Sequence, residues 1–108
     1  MKQDDREIIE SILYQGPDES IAYRLDTTNW GGSASTPPSS PVVTLWDEDG
    51  SNVSSTKMTG SPSIVSDYYV QTPVIHSLVN NDPYYLVIQF TISGNDFVAW
   101  SKMKGQRY

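Results

Sequence analysis

The chain contains no cysteine, one histidine and no long apolar run. Without cysteine there can be no disulfide, zinc–thiolate site or cysteine nucleophile, and the absence favours folding in a reducing cytoplasm. No apolar run reaches the length that a membrane-spanning helix needs. The first ten residues lack the basic and then apolar layout of a signal peptide, so we expect none there.

Basic residues are also few. Seven Lys and Arg stand against 13 Asp and Glu, and the formal net charge is -6. Nonspecific binding to nucleic acid or to anionic membranes needs clustered Lys and Arg, so we expect neither as a partner. Three basic residues gather near the C-terminal end, at Lys102, Lys104 and Arg107. We interpret them as the solvated end of a strand.

Residues 1–16 allow two interpretations. Their apolar residues have the spacing of one face of a short helix: Ile8, Ile9, Ile12 and Leu13. Gly16 and Pro17 end this segment. Because so short a helix is marginal in isolation, we expect either a short helix or an adaptable arm that packs on the domain or on a partner. A strand added to the domain is the alternative.

The clearest structural signal is a hairpin near the C-terminus. Over residues 84–92, every second side chain is a large apolar or aromatic one that can face a core, which predicts a strand with one buried face. Gly94 and Asn95 tolerate the positive φ that a two-residue hairpin turn needs. Residues 97–100 are predicted to form the return strand.

A tyrosine-corner pattern precedes this hairpin. Leu78 stands six residues before Tyr84, with an Asn-Asn-Asp-Pro turn between them. In immunoglobulin-like sandwiches, a Tyr at this place bonds through its hydroxyl to the backbone of the preceding loop. The chain also has short apolar runs, frequent turn residues and no convincing helix after residue 16. We therefore predict an all-β fold, an immunoglobulin-like antiparallel β-sandwich of about seven strands.

These patterns divide the chain into three parts. Residues 1–16 are the N-terminal arm or short helix, residues 17–104 the immunoglobulin-like β-sandwich, and residues 105–108 a C-terminal tail. A single domain of this length can bury a modest core without disulfides.

Aromatic residues are too numerous for a small core, with seven Tyr, three Trp and two Phe. Trp46, Tyr85 and Trp100 have the opposite parity to the predicted core, which would give one sheet a partly aromatic outer face. If the register is displaced by one residue, these residues are the core instead. Trp30, in a loop rich in Gly, Pro and Ser, either plugs the edge of the core, which we favour, or stays exposed for ligand stacking. The candidate interaction surface comprises Trp30, Trp46, Tyr85, Trp100, Ile8 and Ile12.

The sequence shows no catalytic or metal-binding constellation. His76 is the single histidine, and an enzyme would need it in a pocket beside a serine and a carboxylate. The acidic run before Gly50 lacks the third ligand and the final Glu of an EF-hand loop, so it predicts a turn followed by a short strand over residues 52–57. We expect a non-enzymatic protein without a cofactor or a metal.

Three segments share features with a known group of proteins. Residues 23–31 hold a YRLD strand and a Trp-Gly pair, and residues 42–55 hold a strand, an Asp-Gly turn and an NVSS segment. Residues 78–97 form the corner and hairpin that ends in GNDF. Together they resemble small immunoglobulin-like structural proteins of tailed bacteriophages and prophages. The resemblance extends over most of residues 11–104, and its motifs concern fold geometry rather than chemistry.

The resemblance implies a virion or virion-assembly protein: a head–tail connector, a tail or fibre accessory, or a capsid decoration. Its location would be the virion, or the host bacterial cytoplasm during assembly. The implied partners are other phage structural proteins, with a homo-oligomer on assembly, rather than a small-molecule ligand. Asp82 and Pro83 depart from the pattern, because such domains often carry a Gly there. The rival function is a carbohydrate- or ligand-binding sandwich that stacks its ligand on Trp30, Trp46 or Trp100.

Overall fold

The computed structural model describes the backbone of residues 3–7 and all of residues 12–106. These residues form ten strands in two sheets, one short α-helix and one 3-10 helix. The strands are β1 (Gln3–Glu7), β2 (Leu13–Gln15), β3 (Ser20–Asp26), β4 (Ser39–Asp47), β5 (Met58–Thr59), β6 (Ser63–Val65), β7 (Tyr69–Gln71), β8 (Val74–Ile75), β9 (Pro83–Ile92) and β10 (Asn95–Gly105). The α-helix α1 is Ser54–Lys57, and the 3-10 helix is Thr28–Trp30.

The four-stranded sheet is built on the predicted hairpin, and its order is β2-β10-β9-β4. β9 pairs antiparallel with β10 along its whole length, and β4 pairs antiparallel with the other side of β9. The hairpin turn consists of Ser93 and Gly94, whose φ angles are 51° and 79°. Two positive φ angles are what a tight hairpin turn requires. The predicted turn was one residue too late, because Asn95 already pairs with Ile92.

The second sheet is arranged around β3. β3 pairs parallel with β1 and antiparallel with β7 and β8, while β6 pairs with β7 and β5 with β8. Between β7 and β8, the Thr72 N–H donates to the Tyr23 carbonyl oxygen over 2.8 Å, so this segment continues along β3. The short strand predicted over residues 52–57 is wrong, since residue 52 makes an isolated bridge and Ser54–Lys57 is helical. This segment turns the chain from one sheet to the other.

The N-terminal helix is not present where the structure describes this segment. Gln3–Glu7 pairs parallel with β3, and Leu13–Gln15 pairs parallel with β10 in the other sheet. The helix prediction is therefore wrong for these residues, and the alternative of an added strand is correct. Leu13 and Gln15 are buried whereas Tyr14 is exposed, which is the period of two expected for a strand paired with β10. A helix this short gains too little from its own hydrogen bonds to be more stable than the paired strand.

The core lies between the two sheets. In β9, the alternate residues Tyr84 to Ile92 are all buried, so the predicted parity is confirmed. The other sheet contributes Ile21, Tyr23 and Val70 among others to the same apolar cluster. The fold is therefore all-β, with two sheets packed around one core.

A buried polar group joins the two sheets inside this core. The fully buried Gln15 side chain donates through Nε2 to the carbonyl oxygens of Ile75 (2.7 Å) and Glu19 (3.1 Å). Its Oε1 accepts from the Tyr23 hydroxyl over 2.8 Å. No buried side-chain nitrogen or oxygen lacks a partner in the described part of the chain. Gln15 thus fixes β2 to strands of the opposite sheet, and its burial costs little free energy because its polar atoms are hydrogen-bonded.

The tyrosine corner is formed by the loop before β9. The Tyr84 hydroxyl accepts a hydrogen bond from the Val79 N–H, and Leu78 is buried beside it. Burial raises the pKa of the Tyr84 phenol; the Val79 hydrogen bond opposes the shift, and the Asp82 and Asp47 carboxylates add to it. The corner therefore holds a neutral phenol.

Gly105 fastens the same loop to the end of β10. Its N–H donates to the Asp82 carbonyl oxygen over 3.0 Å, and its own carbonyl oxygen accepts from the Asn81 N–H over 2.6 Å. A Cβ at this position would lie 2.1 Å from the Val79 carbonyl oxygen. The approach of the two backbones therefore requires glycine.

Candidate functional site

The candidate site is the outer face of the four-stranded sheet, which we call the aromatic face. Its side chains come from alternate positions of β4, β9 and β10 and point away from the core. Strand register arranges them in three rows across the sheet. The upper row is Trp46, Tyr85 and Lys102; the middle row is Thr44, Val87 and Trp100; the lower row is Val42, Gln89 and Val98.

Much of the aromatic face is apolar and open to solvent. The exposed fractions are 63% for Trp100, 57% for Val98, 49% for Val42 and 37% for Tyr85. The Tyr85 and Trp100 rings lie with their centroids 6.2 Å apart and their planes inclined by 56°. Single exposed apolar residues are ordinary, but several adjoining ones on a rigid sheet indicate a contact surface.

Trp46 forms the less exposed side of the aromatic face. It is half-buried, and its indole Nε1 donates to the Thr44 Oγ1 over 3.0 Å. The two residues stand on the same strand and the same face. Because its N–H is already bonded, Trp46 presents ring surface rather than a free donor.

An open depression of about 290 Å³ occupies the lower end of the aromatic face. It is lined by Ser40, Val42, Gln89, Phe90, Thr91, Asp96, Phe97 and Val98. The upper row carries two large aromatic side chains, whereas the lower row carries two valines and a glutamine. The surface thus has a raised half and a hollow half.

Charged groups stand at both ends of the outer side of β10. Asp96 is exposed at the lower end, where its carboxylate accepts from the Thr91 hydroxyl over 2.7 Å. Lys102 and Lys104 share its parity at the upper end. Trp100 lies midway between Asp96 and Lys104 along the strand. The apolar centre of the strand is therefore bounded by opposite charges.

One predicted surface residue lies off this face. Trp30, on the 3-10 helix, is half-buried against the core, and its ring meets Phe90 edge-on at 5.5 Å. This is the packing that the plug interpretation predicts. Ile12 is exposed just before β2, and Ile8 lies outside the described residues. The structure therefore brings together Trp46, Tyr85 and Trp100 from the predicted set.

Sequence reasoning missed Val42, Gln89 and Asp96 as parts of the same surface. Each is unremarkable in its own strand, and the depression exists because register places small side chains side by side. The available signal was the alternation itself. Once β9 is assigned, every second residue of its neighbours must share the outer face.

His76 does not assemble a catalytic site. Its Nε2 lies 2.8 Å from the Thr59 hydroxyl, and its Nδ1 lies 2.8 Å from the Ser77 hydroxyl. Lys57 Nζ donates to the Ser77 carbonyl oxygen over 2.6 Å. Within residues 12–106, no carboxylate hydrogen-bonds to the imidazole, so the ring is held by hydroxyls and lacks the orienting acid of a triad.

The described part of the chain holds neither a metal-binding cluster nor a membrane-spanning helix. No group of three or more His, Cys, Asp or Glu side chains there could hold a metal ion. None of the helices in residues 3–7 and 12–106 has the length and apolar character needed to cross a bilayer. Comparison with protein-family models, with curated proteins and with solved structures finds no match to this chain. Function is therefore inferred from the aromatic face.

Proposed function

We propose that this protein is a structural or assembly component of a tailed bacteriophage or prophage particle. It acts through protein–protein contacts and without catalysis, as a head–tail connector, a tail or fibre accessory, or a capsid decoration. Its place is the virion, or the host bacterial cytoplasm during assembly. The phage setting is what the resemblance of residues 11–104 implies. The observation that carries the role in protein–protein contact is the aromatic face, a rigid sheet surface that exposes Tyr85, Val98 and Trp100 side by side.

The chemistry of the aromatic face suits a protein partner. Interfaces concentrate their binding energy in a few central Trp, Tyr and Arg side chains, surrounded by polar groups that exclude water. Here Trp100 and Tyr85 form the centre, and charged or amide groups stand around them at Gln89, Asp96 and Lys102. Both aromatic residues lie on strands, whose backbone is already ordered, so binding costs little backbone conformational entropy.

Strand connectivity supports an immunoglobulin-like sandwich as the scaffold. The order β4-β9-β10 corresponds to the C-F-G order of that fold, and the pairing of β3, β7 and β6 corresponds to B-E-D. The Tyr84 hydrogen bond to Val79 stands at the start of the strand that corresponds to F. Such domains supply a stable frame on which an assembly surface can be carried.

Mass spectrometry of purified particles tests the proposal. Particles from the source strain, induced if the gene lies in a prophage, should contain the chain at a fixed copy number. A complementing Trp100→Ala gene should lower that copy number, because Trp100 is the most exposed large apolar residue of the face. Val79→Ala, which alters an exposed residue in the loop before β9, is the control and should be incorporated normally. An expressed chain that is absent from both particles and assembly intermediates would contradict the proposal.

The depression beside the aromatic face supports a second candidate, a carbohydrate-binding module. A sugar ring could stack on Trp100, while Gln89 and Asp96 offer hydrogen bonds from the depression. A glycan array probed with the wild-type chain and with Trp100→Ala distinguishes the two. Binding that disappears in the variant, with no copy in particles, would favour the sugar-binding function.

A further inference from the structure

We infer that the aromatic face binds the aromatic face of a second copy of this chain. The two sheets would pack face to face about a two-fold axis that crosses the strands at the middle row. This inference rests on the proposed function, since it names one partner of the same surface. It follows from how the three rows, the depression and the charges are placed relative to Trp100.

A two-fold axis along the middle row superimposes complementary rows. Thr44, Val87 and Trp100 then meet their own counterparts in the other copy. The upper row of each copy falls on the lower row of the other, because the axis exchanges positions above and below it. An interface of this kind is isologous, with each contact made twice.

The two rows that the axis exchanges differ in side-chain size, with large side chains in the upper row and smaller ones in the lower row. The upper row carries Trp46 and Tyr85, and the lower row lines the 290 Å³ depression. In the two-fold arrangement, the raised half of one copy therefore enters the hollow half of the other. Tyr85 would lie over Gln89, whose amide can hydrogen-bond to the phenol. Trp46 would lie over Val42, which buries apolar surface on both sides.

The charges on β10 show the same symmetry. Asp96 precedes Trp100 by four residues, and Lys104 follows it by four. Each is therefore about 13 Å from the axis along the strand. The axis brings Asp96 of one copy to the level of Lys104 of the other, and does so twice. Sheets packed face to face are about 10 Å apart, a gap that a Lys and an Asp side chain can bridge together.

The size of the face sets the expected strength of the dimer. β4, β9 and β10, spaced by about 4.8 Å and with about eight residues each on the face, cover on the order of 430 Å² in each copy together with the three residues of β2. Two copies would then bury on the order of 850 Å², the size of a weak and transient complex. We therefore expect a reversible dimer with a Kd of about 100 µM or more.

Sedimentation velocity of the whole chain over about 5–500 µM tests this inference. The wild-type chain should pass from monomer to dimer as its concentration rises. Trp100→Ala should raise the Kd by about tenfold or more, because it removes the central contact from both copies. Thermal unfolding should confirm that this variant stays folded, as Trp100 is largely exposed.

Charge exchange tests the two-fold geometry itself. Asp96→Lys should weaken dimerisation by about three- to tenfold, and adding Lys104→Asp in the same chain should restore it. Asp18→Lys makes the same change in net charge in the exposed turn after β2 and should leave the Kd unchanged. Added salt should narrow the difference in Kd between wild type and Asp96→Lys, since it screens the contacts between Asp96 and Lys104.

Two results would overturn the inference. One is a chain that remains monomeric across the whole concentration range. The other is a dimer whose Kd is the same in wild type, Trp100→Ala and Asp96→Lys, because such a dimer uses another surface. A monomeric chain that still needs Trp100 to enter particles would reject the dimer and leave the proposed function standing. A dimer of this geometry in a chain that never enters particles would support the dimer and reject the proposed function.

Discussion

The Tyr84 hydroxyl and the Val79 N–H lie 3.0 Å apart and are joined by a hydrogen bond across the loop that enters β9. Tyr84 also lies in the core, between the two sheets. One side chain therefore fixes both the packing of β9 and the path of the chain before it. β9 is the central strand on which β4 and β10 align the aromatic face.

Replacing Tyr84 with Phe should destabilise the protein by about 1–2 kcal/mol. The ring still fills its place, but the partly buried Val79 N–H loses its acceptor. Urea denaturation measures the change, with the exposed neighbour Tyr85→Phe as the control that should stay within about 0.5 kcal/mol of wild type. Equal stability of the two variants would show that the corner hydrogen bond contributes nothing.

Stability should also fall at alkaline pH because of Tyr84. Burial raises its pKa in the folded state above the ordinary value of 10.0, so the folded protein retains a proton that the unfolded chain releases. The stabilisation is complete below about pH 10 and is lost as the pH rises towards the folded-state pKa. Urea denaturation between pH 8 and about pH 12 should show a steeper loss for wild type than for Tyr84→Phe. Parallel curves would contradict the raised pKa.

Gln15→Leu should cost about 2–4 kcal/mol although leucine is apolar and similar in size. The substitution removes the bonds that Gln15 donates to the Glu19 and Ile75 carbonyl oxygens and the bond that it accepts from the Tyr23 hydroxyl. Tyr23→Phe should cost less in the Gln15→Leu chain than in wild type, since the hydroxyl has already lost its bond to Gln15. Chemical denaturation of the two single variants and the double variant gives the coupling. A strictly additive result would mean that the bond between Gln15 and the Tyr23 hydroxyl contributes nothing to stability.

Gly105→Ala should destabilise the protein by about 2–4 kcal/mol, because its Cβ would collide with the Val79 carbonyl oxygen and backbone must move. Gly16→Ala is the matched control. The nearest atom to its Cβ is a carboxylate oxygen of Glu19, 3.3 Å away at the end of a flexible side chain. Thermal unfolding should show a much lower midpoint for Gly105→Ala than for Gly16→Ala. Similar midpoints would mean that the loop before β9 adjusts freely.

Substitutions of Trp30 and Trp100 should have different effects on folding stability, because Trp30 packs on the core and Trp100 lies on the aromatic face. Trp30→Ala removes the edge-on contact with Phe90 and should cost about 2–3 kcal/mol of folding free energy. Trp100→Ala should change it by no more than about 0.5 kcal/mol, because the side chain is mostly in solvent. Denaturation of both variants, read by circular dichroism, makes the comparison. A large loss for Trp100→Ala would instead place its ring in the fold.

The predictable parts of this fold are those in which a local pattern has one solution. The alternation over residues 84–92 leaves one choice of buried face, and the spacing of Leu78 and Tyr84 specifies the corner. The apolar spacing of the N-terminal segment had two solutions, and the free edge of β10 selected the strand at Leu13–Gln15. The turn was misplaced at Asn95 because Ser93 adopts a positive φ that sequence preference assigns to Asn or Gly.

The candidate site was predictable in kind but not in shape. Parity alone indicated that Trp46, Tyr85 and Trp100 share an outer face. The depression and the symmetric placement of Asp96 and Lys104 depend on the register of three strands that are distant in sequence. That register is set by turns and core packing, which no single strand encodes.

The parallel pairing of β2 with β10 has a mechanical consequence. These are strands near the two ends of the described chain, and Gln106 adds an N–H bond of 2.9 Å to the Gln15 carbonyl oxygen beyond the last strand pair. A pull that separates the two ends slides parallel strands past each other, so their hydrogen bonds bear load together instead of opening one at a time. Single-molecule stretching should record one high-force event that Gln15→Leu lowers. Tension along the chain is then shared by the hydrogen bonds between β2 and β10.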